Sequence, residues 1–224
     1  MTRVNLIDPT PWDSTVFGCR CFEIRKATPE AMMEMLKSPG HYTIKVNPLA
    51  SKKLLHDHGF YYCDTLIEAY CTADNFVCYD NPEVAFTRDA PLEALLAICH
   101  GAFEYGRFHR DFNLDRSLAD LRYDNWLKQL HADGNVYGLL FRGEIAGFIG
   151  AVANRLALVA VDAKQRGSGL GKYLWSAVCK DLFANGHREL TSTISSANFA
   201  ALNLYASVGF HFRNPLDVYH RVVS

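Results

Sequence analysis

VDAKQRGSGLGKYLWSAV, residues 161–178, runs from an apolar stretch into an amphipathic one through Gly167, Gly169 and Gly171. Glycines between a buried strand and a helix start let backbone N–H groups converge on an anion, where the helix dipole adds its field. The stretch therefore predicts a phosphate-binding turn. Particular residues exclude two kinds of it. A nucleotide-hydrolysing loop needs glycine five residues ahead of Gly171-Lys172, where Arg166 stands, and Ser or Thr where Tyr173 stands. A dinucleotide fingerprint fails at Lys172; Glu189 lies roughly where a ribose-binding acid would, but the loop follows a hairpin instead of opening a βαβ unit. A turn that only connects strand to helix is the plain alternative, and three alternate glycines cost backbone entropy that such a connection has no reason to lose.

Upstream, VYGLLF (136–141), Arg142-Gly143-Glu144 and IAGFIGAV (145–152) read as a hairpin, and LALVAV (156–161) as a strand buried on both faces. Downstream, Leu170, Leu174, Val178 and Leu182 recur every four residues along a helix that Asn185-Gly186 ends. LTSTI (190–194) predicts a strand, and Asn198 to Val208 a second helix with Ala201, Leu204, Tyr205 and Val208 on one face. Gly209 stops that helix, and DVYHRVV (217–223) reads as a last strand. The order describes an α/β fold on a mixed sheet.

A fainter copy stands in the first half. YTIKVNPLASKKLLHDHGFYY, from Tyr42, lies over TSTISSANFAALNLYASVGFHF with Thr43-Ile44 on Thr193-Ile194 and Gly59-Phe60 on Gly209-Phe210, an unbroken offset of 150. No glycine loop precedes the copy, and Leu55 takes the place of Tyr205. The reading is a degenerate domain over 1–80 and an active domain over 81–224, with Asp, Asn and Pro clustering at residues 74–90 between them.

The 224 residues are 49% hydrophobic and 21% charged, enough for a packed core, and a net charge of −1 offers no basic excess for a polynucleotide. Nucleic acid is thus excluded as the main partner, and small-molecule chemistry is expected. The start, MTRVNLIDPTPWD, lacks the apolar core of a signal peptide, and no stretch approaches the ~20 apolar residues of a membrane span, so a cytoplasmic location is expected. The seven cysteines are odd in number and form no C-x-x-C pair, which reads as reduced thiols.

Arg166-x-x-Gly169-x-Gly171 resembles the acetyl-CoA pyrophosphate loop of the GNAT acetyltransferase superfamily, and about 30 residues on stand that family's Asn198, Tyr205, Gly209 and Phe210. A pyrophosphate held by amides needs no magnesium, hence no Ser or Thr after the glycine, and Lys172 is left as a surface charge. The resemblance implies a GNAT fold with a degenerate half-GNAT before it, acetyl-CoA as cosubstrate and no metal. It also implies that Arg166, Gly167, Ser168, Gly169, Leu170 and Gly171 hold the cofactor with Asn198 and Tyr205. Backbone groups of Val159, Ala160 and Val161 would pair with pantetheine where their strand splays from the next. Tyr205 is implied as the general acid, since a phenol of pKa about 10 keeps its proton at neutral pH. Asn198 also suits an N-cap. Relatives often carry Gln at the position of Arg166 and Arg at that of Ser168.

No general base stands out. His109, His131, His187, His211 and His220 qualify by type alone, and His56 and His58, two apart on a helix, point away from any shared metal. Cys179 falls on the packed side of its helix, a poor nucleophile, so direct attack by the amine is expected. In YGRFHRDFNLDRSLADLRYDNWLKQL, residues 105–130, Arg107, His109, Arg110 and Asp111 sit among aromatics and suit a phosphorylated or nucleotide-linked acceptor, or else a solvated turn between helices.

WDSTVFG at Trp12 to Gly18, this arginine-phenylalanine run and the degenerate first half are similar to the bacterial TDP-fucosamine acetyltransferase group. That resemblance implies transfer to the 4-amino group of a TDP-4-amino-4,6-dideoxyhexose for surface polysaccharide; Trp12 and Phe17 also read as anchors of the first strand. An aminoglycoside, polyamine or peptide N-terminus as acceptor, and a noncatalytic CoA-binding module, stay open, and a homodimer is compatible with the chain.

Overall fold

A computed structural model describes residues 5–224. Around the glycines, β6 (Val136–Phe141) and β7 (Glu144–Val152) form an antiparallel hairpin closed by Arg142 and Gly143 at positive φ. β8 (Arg155–Val161) pairs antiparallel with β7, and α6 (Gly171–Ala184) buries Leu174, Val178 and Leu182. β9 (Glu189–Ser195), α7 (Phe199–Ser207) and β10 (His211–Val223) follow as the sequence predicts. Before them come β1 (Ile7–Pro9), α1 (Pro11–Phe17), β2 (Cys21–Ile24), α2 (Pro29–Met35), β3 (Gly40–Val46), α3 (Lys53–Asp57) and β4 (Tyr61–Thr72). Next are β5 (Val84–Thr87), α4 (Leu92–Cys99) and α5 (Arg116–Ala132), giving a mixed α/β fold. Among the described residues no helix is long and apolar enough to cross a membrane.

The chain divides into two compact units, neither of them a continuous stretch. One comprises Met1–Leu66, Glu104–Arg122 and Asn214–Ser224. Its strands run in the order β1-β2-β3-β10-β4, with β2 and β3 parallel and β3 and β10 antiparallel. Its core gathers Met32, Met35, Tyr42, Ile44, Leu55 and Phe60. The other comprises Ile67–Phe103 and Tyr123–Arg213, with the order β4-β9-β8-β7-β6-β5. There one cluster packs α6 and α7 on the sheet through Leu174, Val178, Tyr205 and Phe210, and a second packs α4 and α5 through Leu95, Leu127, Phe148 and Leu158.

β8 departs from the reading of a strand buried on both faces. Leu156, Leu158 and Ala160 are buried, but Ala157, Val159 and Val161 are only half-buried. The cause is a register shift: Gly150 pairs with Leu158 and Ala151 with Leu156, which leaves Ala157 as an extra residue. A bulge bends its strand and increases the twist. It also reverses the facing of the strand, since Leu156 joins one core cluster and Leu158 the other. The described parallel ladder to β9 comprises Arg155↔Thr191 and Leu156↔Ser192, so the two strands part where the bulge begins.

The two helices aligned at offset 150 end alike. α3 ends with Gly59 N–H on His56 O and Phe60 N–H on Leu55 O, each at 3.0 Å; α7 ends with Gly209 N–H on Ala206 O at 3.1 Å and Phe210 N–H on Tyr205 O at 3.0 Å. Both are Schellman ends with a left-handed glycine, Gly59 at φ 73° and Gly209 at φ 91°.

Candidate active site

The glycine loop follows a short 3-10 turn at Ala163–Gln165. Gly167 and Gly169 take φ of 74° and 77° with open space where a Cβ would stand, so it is backbone conformation that requires them. Gly171 fits for a different reason: a Cβ there would come within 3.1 Å of the Leu204 side chain, which would have to shift by a few tenths of an ångström where α6 meets α7. Leu170 occupies the N-cap of α6 and supplies no side-chain cap. Among the described residues the amides of Gly169, Gly171 and Lys172 therefore find no acceptor, and the helix start offers them outward. Ser168 Oγ braces the turn, donating to Gln165 O at 2.7 Å and accepting from Leu170 N–H at 3.3 Å. Arg166 turns back instead, its Nε donating to Val161 O at 3.0 Å. Lys172, expected as a free surface charge, lies over the rings of Tyr79 and Tyr173 at 4.6 and 5.1 Å.

Substituting Gly169 by Ala tests the loop. An αL alanine costs about 1–2 kcal/mol, and the exposed free loop can relax out of that conformation, whereas a loop gripping a ligand cannot. CoA affinity is expected to fall about tenfold, the equivalent of about 1.4 kcal/mol, with the melting temperature nearly unchanged; calorimetric titration and thermal denaturation check the pair.

Val159, Ala160 and Val161 pair with Ile149, Phe148 and Gly147 of β7 and lie beyond the last described rung to β9. At that rung Ser192 Oγ donates to Leu156 O at 2.9 Å and accepts from the Tyr205 hydroxyl at 3.1 Å. Tyr205 thus sits at the vertex where β8 and β9 separate. Its place is set by the Schellman end of α7, which stacks Phe210 edge-on against it at 4.9 Å, with Trp175 edge-on at 5.9 Å. The residue is 2% exposed, and burial pushes its phenol up to about 12 against the pull of Ser192 and Trp175. Asn198 caps α7, Oδ1 accepting from Ala201 N–H at 3.0 Å. Cys179 is fully enclosed, and burial pushes its thiol far up.

Arg107, His109 and Asp111 lie in the other unit, on the connection between α4 and α5. The Arg107 guanidinium lies over Phe108 at 4.6 Å, and buried His109 meets Asp120 Oδ1 through Nε2 at 2.8 Å. Asp111 is enclosed. His41 Nε2 lies 2.8 Å and His220 Nδ1 2.7 Å from its Oδ2, while the Tyr61 hydroxyl at 3.0 Å and the Asn113 amide at 2.8 Å donate to Oδ1. Burial works to raise the Asp111 carboxyl, but these bonds hold it well below the usual carboxylate range; burial pulls His220 down to about 4. His41 and Tyr61 escaped the sequence reading because they stand 70 and 50 residues from Asp111 with no motif between.

Four other histidines make contacts of their own. His131 Nε2 bonds Ala90 O, His211 lies by the Tyr70 ring, and His58 Nδ1 bonds Leu54 O while His56 faces Tyr219. In WDSTVFG, Trp12 is exposed, Asp13 is buried and accepts from Arg122 Nε at 2.7 Å, and Phe17 packs on Phe108 at 5.3 Å.

Residues 101–210 match the model of the Acetyltransferase (GNAT) family. A GCN5-related N-acetyltransferase from Sphaerobacter thermophilus shares the fold at a TM-score of 0.62 and 12% identity, over 96% of this chain and 76% of that one. A tandem GNAT protein from the clavulanic acid biosynthesis pathway, solved without AcCoA, gives 0.55 and 12% over 92% and 78%. A GCN5-related N-acetyltransferase from Kribbella flavida gives 0.55 and 12% over 90% and 80%. At such identities the likeness is one of fold, and the fold is GNAT. No curated protein matches the chain.

Proposed function

We propose that this chain, with its GNAT fold and its match to the acetyltransferase family over residues 101–210, is a cytoplasmic, acetyl-CoA-dependent N-acetyltransferase of nucleotide-linked amino sugars. The observation that carries the reading is a coincidence of three features in one unit: uncapped amides at a glycine loop, a strand edge freed where β8 leaves β9, and the Tyr205 hydroxyl at the point of parting. These residues fit a diphosphate joined to an amide-bearing arm. Bound acetyl-CoA would supply an acetyl group activated as a thioester.

The chain's own residues do the rest. Amides around Gly169 bind the diphosphate, and the edge of β8 at Val159–Val161 orients the arm. Asn198 fixes the start of α7, and Tyr205 holds a proton at its hydroxyl for the departing thiolate. With Cys179 enclosed, the amine attacks directly, the C–S bond breaks as the amide forms, ordered water takes the proton the nitrogen sheds, and no acyl-enzyme forms. The first half is read as a degenerate copy, with 1–80 and 81–224 as ancestral domains that the compact units now interleave; the matched Schellman ends support this.

The acceptor is taken to be the 4-amino group of a TDP-4-amino-4,6-dideoxyhexose destined for surface polysaccharide, on the resemblance of WDSTVFG and the Arg107 segment. An amine beside ring oxygens is weakly basic, so much of it is neutral without a strong base. A thiol-release assay over TDP-amino sugars, polyamines, aminoglycosides and peptide N-termini is expected to show turnover with the first class. Turnover confined to the others would discard the acceptor, and CoA binding without any turnover would favour a noncatalytic module.

A further inference from the structure

The geometry points to a site for a divalent transition-metal ion, zinc foremost, held by His41 Nε2, Asp111 Oδ2 and His220 Nδ1. The GNAT resemblance implied no metal, and these residues share no motif. They meet through the sheet. In the β3–β10 ladder Thr43 pairs with His220 and His41 with Val222, so both histidines project from one face of adjacent strands as diagonal neighbours. Their rings lie 4.7 Å apart at 77°. Asp111 reaches the same point from the α4–α5 connection, and the three ligand atoms lie within 4.8 Å of one another, all buried.

The supporting shell has the form that metal ligands take. Asn113 N–H donates to Asp111 Oδ1 and the Tyr61 hydroxyl straddles the carboxylate, 3.0 Å from Oδ1 and 3.1 Å from Oδ2, while both imidazoles meet at Oδ2. His220 Nε2 has no partner among the described residues, so no second bond locks that ring in one tautomer. Each ring now donates a proton to Oδ2; on metal entry that proton moves to the ring's other nitrogen, and the freed lone pair binds the ion. Bonds of about 2.0–2.1 Å in a tetrahedral set require the nitrogens to retreat from Oδ2 by about half an ångström and to close toward each other, from a separation within 4.8 Å to about 3.3 Å, by rotation of the two rings. Two imidazoles and one carboxylate suit a borderline first-row cation, with a water as fourth ligand. The charge of Arg107 acts on His220 and opposes a cation, but the Asp111 carboxylate is itself a ligand. A cavity of about 480 Å³ that reaches His41 between Arg20, Asn113 and Asp115 gives a way in. Such an ion would clasp β3, β10 and the α4–α5 connection, and the inference stands apart from the acetyl-transfer reading.

The test uses the full chain stripped with EDTA and then titrated with Zn²⁺ by calorimetry, and with Co²⁺ followed by visible absorption. Expected are one equivalent bound, a raised melting temperature, a cobalt spectrum free of thiolate charge transfer, and affinity lowered at least 100-fold in His41→Gln and His220→Asn. Tyr61→Phe, which removes only the hydroxyl, is expected to weaken binding about tenfold and covers the case in which a histidine variant does not fold. The proposal is overturned if the folded wild type takes up neither ion. It is equally overturned if the cobalt spectrum shows thiolate, or if Cys19→Ser abolishes uptake and the histidine variants do not.

Discussion

Replacing Tyr205 with phenylalanine is expected to lower kcat for acetyl transfer by about 10²- to 10⁴-fold, the range a positioned general acid contributes, while acetyl-CoA affinity stays nearly constant. The two effects separate because the hydroxyl sits at the strand vertex and the glycine loop lies elsewhere in the same unit. The variant keeps its packing: the ring still meets Trp175 and Phe210, and Ser192 Oγ keeps its bond to Leu156 O. Losing one buried hydroxyl bond costs about 1 kcal/mol, so the fold persists. Steady-state kinetics beside a calorimetric titration read the outcome. Unchanged turnover removes the general-acid role, and a joint loss of turnover, affinity and melting temperature would make Tyr205 purely structural. The pH dependence has a defined sign. With the phenol pushed up to about 12, the proton is retained through the neutral and mildly alkaline range and is lost only as pH rises toward that value. A fall in rate between pH 8 and 10 must then come from another group and persist in Tyr205→Phe.

The elements around the loop were legible because each rests on local signals. Alternate glycines, a four-residue apolar repeat and Asn-Gly or Gly-Phe stops all act within a few residues. What was not legible depends on partners far along the chain. The bulge at Ala157 exists only in register with Gly150 and Ala151, so LALVAV reads as a uniform strand when it in fact turns over midway. That change of facing coincides with the last described rung between β8 and β9. The burial of Asp111 likewise follows from β10 lying beside β3, where Val222 pairs with His41 across 181 positions of sequence, a separation that no window on Arg107 to Asp111 contains. Sequence could name Asp111 as polar and set among aromatics; only the pairing of strands shows that histidines enclose it.

The repeat yields the second large effect, because its two glycines share a backbone and differ in surroundings. Gly209→Ala should destabilise the protein by about 3 kcal/mol or more, from αL strain and from a clash that relaxation cannot cheaply relieve. A Cβ at Gly209 would fall 2.0 Å from Asn75 O and 3.1 Å from Val77 N, both backbone atoms. Clearing it means moving a segment held by Val77 N–H on Val208 O at 3.2 Å and Asn75 N–H on Thr72 O at 3.1 Å. The same move would loosen the Schellman end that sets Phe210 against Tyr205, so activity is expected to fall with stability. At Gly59 a Cβ would meet only the Arg221 guanidinium, at 3.0 Å, the far end of a side chain that can swing aside. Gly59→Ala should therefore cost about 1–2 kcal/mol, the αL strain alone. Thermal denaturation of the pair decides it: at about 2–4 °C per kcal/mol for a chain of this size, the Gly209 variant should melt several degrees below the Gly59 variant. Equal losses would mean that the 75–77 segment yields freely, and that the αL conformation, shared by both copies, is the whole constraint.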